Sequence, residues 1–223
     1  MSAIHPSIPF LPPPADWLVC FALPDEAAPF REASGARTRI LLTGMGRTNA
    51  RARFTEEIER RRPALVLTCG YAGALDPDLD PATVCFDPPE ACGLALRLLQ
   101  AGALPARFHC ADRIAVTAVE KARLRAETGA QVVEMESGEI RSLCEGLEIP
   151  CVTVRAITDG AMEDLPLDFN RILTHRMRLS PIKLAWRVML RPWCVPGLLR
   201  LRQASREAGR ELARVLLSVM GRE

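Results

Sequence analysis

Five short stretches of this chain put ionisable side chains or glycine turns where an apolar run stops. Val132-Val133 runs straight into Glu134-Met135-Glu136-Ser137, and Val152 to Asp159 (VTVRAITD) holds an arginine inside an apolar run and an aspartate at its end. Trp17 to Leu23 ends in Pro24-Asp25-Glu26, Arg37 to Thr43 in Gly44-Met45-Gly46, and Ala64 to Cys69 in Gly70-Tyr71-Ala72-Gly73. Carboxylates beside apolar segments are costly unless solvated, capped or hydrogen-bonded. Groups of this kind carry proton transfer and hydrogen-bonded ligand capture. Glycine turns after strands let a ligand approach the backbone and offer it free N–H groups. Each feature also has a plain structural reading. The turns are tight strand–helix connections, either glutamate is a helix cap, and Arg155 with Asp159 is a salt bridge. Convergence of all five at one sheet edge is what argues for a site.

The elements that must position these groups follow from the pattern of apolar residues. Compact runs such as Ala64–Cys69 and Pro150–Ile157 read as strands buried on both faces. Shorter strands are expected at Trp17–Leu23, Arg37–Thr43, Ala82–Phe86, Arg113–Val119 and Gln131–Glu134. Helices are expected at 25–31, 48–61, 90–101, 120–128 and 136–147. In the last of these Ile140, Leu143, Cys144 and Leu147 recur at i, i+3, i+4 and i+7. Strands alternating with helices predict a single α/β domain, with a central twisted, mostly parallel (mixed) β-sheet flanked by helices. In such sheets the ligand sits beyond the carboxyl ends of the strands, which brings Gly44–Gly46, Gly70–Gly73, Glu134–Glu136 and Arg155–Asp159 into one neighbourhood. Residues 1–16, with five prolines, read as a loose tail, and 17–223 as the domain.

Composition narrows the chemistry. At 223 residues, with 48% hydrophobic and 25% charged residues, the chain suits one ordered domain. A net charge of +2 argues against a global nucleic-acid-binding field. Eight cysteines form no C-x-x-C pair and several lie in apolar runs, so they read as small buried hydrophobes in a reducing compartment. With three histidines and no ligand cluster, no metal site is expected. The first residues lack a secretory pattern and no apolar run reaches the roughly 20 residues of a membrane span, so a cytoplasmic address is expected.

At this point the order and spacing of four segments resemble the nucleoside phosphorylase/nucleosidase superfamily. They are Ala22-Leu23-Pro24-Asp25-Glu26, Thr43-Gly44-Met45-Gly46-Arg47, Cys69-Gly70-Tyr71-Ala72-Gly73 with Leu75-Asp76-Pro77, and Glu134-Met135-Glu136 followed by Arg155-Ala156-Ile157-Thr158-Asp159. The segments are similar to those of methylthioadenosine/adenosylhomocysteine nucleosidases. Thr128-Gly129-Ala130 and the tail residues Leu190-Arg191-Pro192-Trp193 and Leu198-Leu199-Arg200-Leu201 resemble more closely the hopanoid-associated phosphorylases, which act on an adenosyl-hopane lipid.

The resemblance implies cleavage of a purine N-glycosidic bond and release of adenine from a 5′-substituted adenosine. It implies no cofactor beyond inorganic phosphate as a possible co-substrate, and a homodimer. Displacement at C1′ needs an acid near the base, groups that hold the ribose and a nucleophile below the ring. The resemblance makes Asp159 the acid and Glu136 the ribose-hydroxyl acceptor, with Met135 packing on the sugar. Glu26 activates a water or contacts the sugar side. Arg155 and Glu134 orient the region, Gly70, Tyr71 and Ala72 line the nucleophile pocket, Gly46 belongs to the turn, and Ile114 with Ala115 forms part of the base wall. Two departures stand out. Tyr71 replaces a small hydroxyl residue, which leaves open a nucleoside-binding module without turnover. Arg47 replaces a lysine and reads either as a phosphate ligand or as a surface charge.

Residues 171–214 carry eleven Lys or Arg against Glu207 and Glu211, interleaved with Ile182, Trp186, Met189, Leu190 and Trp193. A basic amphipathic segment with tryptophans suits peripheral contact with an anionic membrane face through 171–202. The other reading is a helix packed on the sheet with a solvated arginine face. The last helix, 203–217, reads as core packing, and no aromatic-and-basic motif for nucleic acid is present.

Overall fold

The computed structural model describes residues 13–35, 38–87, 93–174, 177 and 180–221. Eight strands form one mixed sheet: β1 Trp17–Phe21, β2 Arg39–Leu42, β3 Leu65–Ala74, β4 Val84–Asp87, β5 Leu104–Pro105, β6 Phe108–Cys110, β7 Val132–Glu134 and β8 Cys151–Asp159. The helices are α1 Pro24–Ser34, α2 Arg47–Arg60, α3 Leu94–Gln100, α4 Ala118–Thr128, α5 Ser137–Gly146, α6 Pro181–Leu190 and α7 Val195–Val219. Strand order is β2-β1-β3-β8-β4-β5, with β1, β2, β3 and β8 parallel and β4 antiparallel to β8.

The apolar runs are buried on both faces because helices cover both. Along β1, Trp17, Val19 and Phe21 join one core cluster with α1 and the second half of α7, while Leu18 and Cys20 join another with α2 and α5. This alternation is the period-2 geometry of a strand.

β3 positions the site. Its first half pairs β1 and β8, and its last residues pair β7 antiparallel, Gly73 with Val133 and Ala74 with Val132. β7 therefore delivers Glu134 from the opposite direction to the parallel strands, yet to the same place. Opposite Ala72 and Gly73, β8 carries one extra residue, so that Ala72 faces Ile157 and Gly73 faces Asp159. Bulges of this kind re-aim side chains.

Two expectations are corrected. Residues 113–117 are not a strand: Ile114 is held as a loop by Asn170, whose side chain accepts from its N–H and donates to its carbonyl at 2.9 Å each. Thr117 then caps α4 with a reciprocal Glu120 contact, which starts the helix at Ala118. The short strands β5 and β6 lie in a stretch where no strand was expected. Residues 1–12, 88–92, 175, 176, 178 and 179, which include part of the proline-rich tail and the start of the 90–101 helix, lie outside the described residues. No described helix is long and apolar enough to cross a membrane.

Candidate active site

The carboxyl end of β1 turns directly into α1, with Glu26 at the third helical position. Its carboxylate folds back to accept N–H bonds from Ala22 and Leu23 at 3.1 Å and from Tyr71 at 3.3 Å. Burial pushes the Glu26 carboxyl up, and Arg155 with these three amides partly offsets the rise. Gly70, at φ +149°, leaves the space in which this happens. A Cβ there would lie 2.5 Å from Arg155 Nη1 and 3.0 Å from Glu26 Oε2.

The Glu-Met-Glu stretch divides its work. Glu134 caps α5: Oε2 accepts from the Glu136 and Ser137 amides at 2.9 and 2.7 Å, and Oε1 from the Ser137 hydroxyl at 2.7 Å. It also pairs with Arg155 at 2.7 Å. Burial by itself would raise Glu134, but the Arg155 guanidinium and the amides outweigh it, so its carboxyl is held below the usual range. Glu136 accepts the Gly46 amide at 3.1 Å and lies 3.6 Å from Arg155. Burial pushes it up to about 7, with Glu134 and Glu26 adding to the rise and Arg155 and the Gly46 amide opposing it. One guanidinium, fully buried on β8, thus serves three carboxylates, and burial of each is tolerable because of it.

Asp159 is bonded through both oxygens. Oδ1 accepts from the Thr158 hydroxyl at 2.8 Å, and Oδ2 pairs with Lys121 Nζ at 2.6 Å. Lys121, on α4, is 0% exposed and also donates to the carbonyls of Gly160 and Glu163 at 2.7 and 3.0 Å. Nothing in the sequence marks this residue. It stands in the charged run Glu120-Lys121, and a lysine on a helix is by default a surface residue.

Glu26, Glu136 and Asp159 line one cavity of about 280 Å³, together with Tyr71, Ala72, Ile114, Ala115, Met135 and Glu134. The rest of the wall includes Met45, Arg113, Val133, Leu165, Phe169, Leu201 and Ser205. The last four, from the segment after β8 and from α7, were not expected as site residues, and Leu201 was noted only in the tail resemblance. They belong to different elements and carry no local motif. Four of the expected site residues do not line this cavity. Arg155 and Gly70 lie behind the wall, and Gly46 reaches the site only through its amide to Glu136. Arg47 turns outward, paired with Asp112 at 3.3 Å and bonded to the Cys110 carbonyl at 2.7 Å. Exposed and engaged there, it reads as the surface charge of the two expectations. Tyr71 forms one wall and its hydroxyl lies against α7, where a Cβ at Gly209 would come within 2.6 Å. Burial pushes its phenol up to about 12, so it is a neutral group at ordinary pH.

The arrangement offers a carboxylate on backbone amides, a second carboxyl near neutrality and a third beside a buried ammonium, all around an apolar cavity. No cluster of metal-ligating side chains occurs among the described residues.

The family model described as Phosphorylase superfamily matches residues 94–180. A 5′-methylthioadenosine/S-adenosylhomocysteine nucleosidase of Glaesserella parasuis is 25% identical over 167 residues, covering 60% of this chain and 73% of that protein. An aminodeoxyfutalosine nucleosidase of Campylobacter jejuni is 29% identical over 69 residues, covering 31% of this chain and 30% of that protein. The fold is that of futalosine hydrolase from Helicobacter pylori, with a TM-score of 0.68 at 16% identity, covering 92% of this chain and 97% of that one. The chain is thus similar to the phosphorylase superfamily over residues 94–180 and, over part of its length, to nucleosidases.

Proposed function

We propose that this protein cleaves the N-glycosidic bond of a 5′-substituted adenosine with water and releases adenine. The observation that carries the reading is the convergence of Glu26, Glu136 and Asp159 on one apolar cavity. Asp159 is assigned to the purine: with Lys121 it forms the proton-bearing pair that neutralises the base as it leaves. Glu136 accepts the ribose hydroxyls, and Met135 packs on the sugar. Glu26 takes a proton from the water that attacks C1′. One C–N bond breaks and one C–O bond forms, and the products are adenine and the 5-substituted ribose.

Water is favoured over phosphate by charge. Among the described residues Arg113 is the only Lys or Arg lining the cavity, and it is paired with Glu120. A phosphate dianion would meet Glu26 and Glu136 with little compensation. Phosphorolysis therefore stands as the rival nucleophile, and the assay separates the two. The apolar wall of Met45, Ile114, Leu165, Phe169 and Leu201 suits a purine with an apolar 5′ group. A methylthio group is the small candidate and an adenosyl-hopane lipid the large one, the latter suggested by the tail resemblance.

The test is adenine release from 5′-methylthioadenosine and from an adenosine carrying a long apolar 5′ chain, each with and without phosphate. Phosphate-independent release, lost in Glu26→Gln and Asp159→Asn, is expected. Release only with phosphate, yielding a ribose 1-phosphate, would overturn the nucleophile assignment. No release from either substrate by folded protein would leave a binding module without turnover.

A further inference from the structure

α6 is amphipathic with its apolar stripe turned outward. Ile182, Trp186, Met189 and Leu190 recur at i, i+4, i+7 and i+8, which is one face of a helix, and are 72, 58, 63 and 63% exposed. The opposite side holds the helix down: Leu184 and Val188 pack on Leu167, Ile172 and Cys194. Trp193, 73% exposed, and Leu199 extend the apolar surface into the start of α7. Exposed apolar groups in a contiguous patch mark a contact surface.

The charge around the patch says what covers it. From residue 169 to 206 the chain holds nine Lys or Arg and no Asp or Glu. Arg187, Arg191, Arg200 and Arg202 form no ion pair among the described residues. A second copy of this face would oppose arginine to arginine. An anionic lipid surface complements it: headgroups meet the arginines, and tryptophan with long aliphatic side chains enters the headgroup–acyl boundary. Nucleic acid would satisfy the charge but leave the aliphatic stripe in water.

We propose that α6 and the turn into α7 form a docking surface for an anionic membrane. The same α7 carries Leu201 and Ser205 into the wall of the cavity, so the docked face adjoins the site. The inference does not depend on which nucleoside is cleaved.

The test is co-sedimentation of the full chain with phosphatidylglycerol/phosphatidylcholine vesicles and with phosphatidylcholine alone, read together with tryptophan emission. Trp17 is buried in the core, so a blue shift on binding reports Trp186 and Trp193. Binding to the anionic vesicles only, weakened by salt, is expected. The pair Arg187→Gln/Arg191→Gln should reduce partitioning by roughly tenfold or more, and Trp186→Ser/Trp193→Ser by a similar factor. Melting temperature and soluble-substrate turnover of these variants should stay at the level of the parent chain. Equal binding to both vesicle types, or undiminished binding by the tryptophan variant, overturns the proposal. So does a lipid-free dimer that becomes monomeric in that variant, which would make the face a subunit contact. Preferential capture of single-stranded RNA over vesicles, unaffected by the tryptophan changes, would also overturn it.

Discussion

The sheet-end site and the α6 surface use charge in opposite ways. At the site, three carboxylates are buried around one buried arginine, and Asp159 is bonded to a buried lysine. There each charge has a partner, and each partner is supplied by a different element. On α6 and the start of α7 Arg191, Arg200 and Arg202 are exposed, Arg187 is half-buried, and the apolar side chains lie open beside them. The contrast teaches that a buried charge network couples stability to chemistry, whereas the exposed surface is free of both. Substitutions in the first region should damage fold and turnover together or separately according to the partner removed. Substitutions in the second should touch neither.

The largest effect is expected from Arg155→Met. It strands Glu26, Glu134 and Glu136 without their shared cation, a loss of about 3–5 kcal/mol that chemical denaturation would measure. A loss under about 1 kcal/mol would mean that the carboxylates do not depend on it. Glu26→Gln and Asp159→Asn should each lower adenine release by about 10²–10⁴-fold; the melting temperature should change little for Glu26→Gln and fall for Asp159→Asn, which leaves buried Lys121 without its carboxylate. Lys121→Met sharpens the comparison. It should lower turnover like Asp159→Asn and also destabilise, because it leaves a mostly buried carboxylate unpaired; a variant with parental turnover would reduce Lys121 to a structural prop.

Glu136 offers a pH test. Its folded pKa is raised from 4.5 to about 7. The folded state therefore retains a proton that the unfolded chain gives up, so stability falls as pH rises from about 4.5 through about 7. Glu136→Gln should flatten that decline in a pH series of melting curves. If the carboxylate form accepts the ribose hydroxyls, turnover of the parent rises across the same window; a flat profile there would count against that role. The smallest effect is expected from Trp186→Ser/Trp193→Ser, within about 0.5 kcal/mol in stability because both side chains are already exposed.

How far the site was legible in sequence varies by residue. Glu26, Glu136 and Asp159 each stand at the end of an apolar strand, and a sheet buried on both faces brings strand ends together by geometry alone. Glu134 carried two readings, ligand group and helix cap, and the structure gives the cap and the pairing to Arg155. Arg47 had two readings as well. Its local motif does not say which way a side chain at the start of α2 turns; Asp112 and the Cys110 carbonyl, far along the chain, decide it. The strand expected at 113–119 failed because Asn170 and the Thr117–Glu120 cap outcompete a short β-rich run.

The sequence by itself determined the α/β class, the central strands and the three carboxylates at their ends. Period-2 and period-3.6 patterns are local, and a charge placed where an apolar run stops is visible without a fold. Only the tertiary structure decided that Lys121 is buried against Asp159, that Arg155 stands behind the wall, and that Leu165, Phe169 and α7 close the cavity. Only it decided that the apolar stripe of α6 faces outward. These depend on which surfaces of distant elements meet, and for a helix with one apolar stripe the pattern does not state whether the stripe is covered.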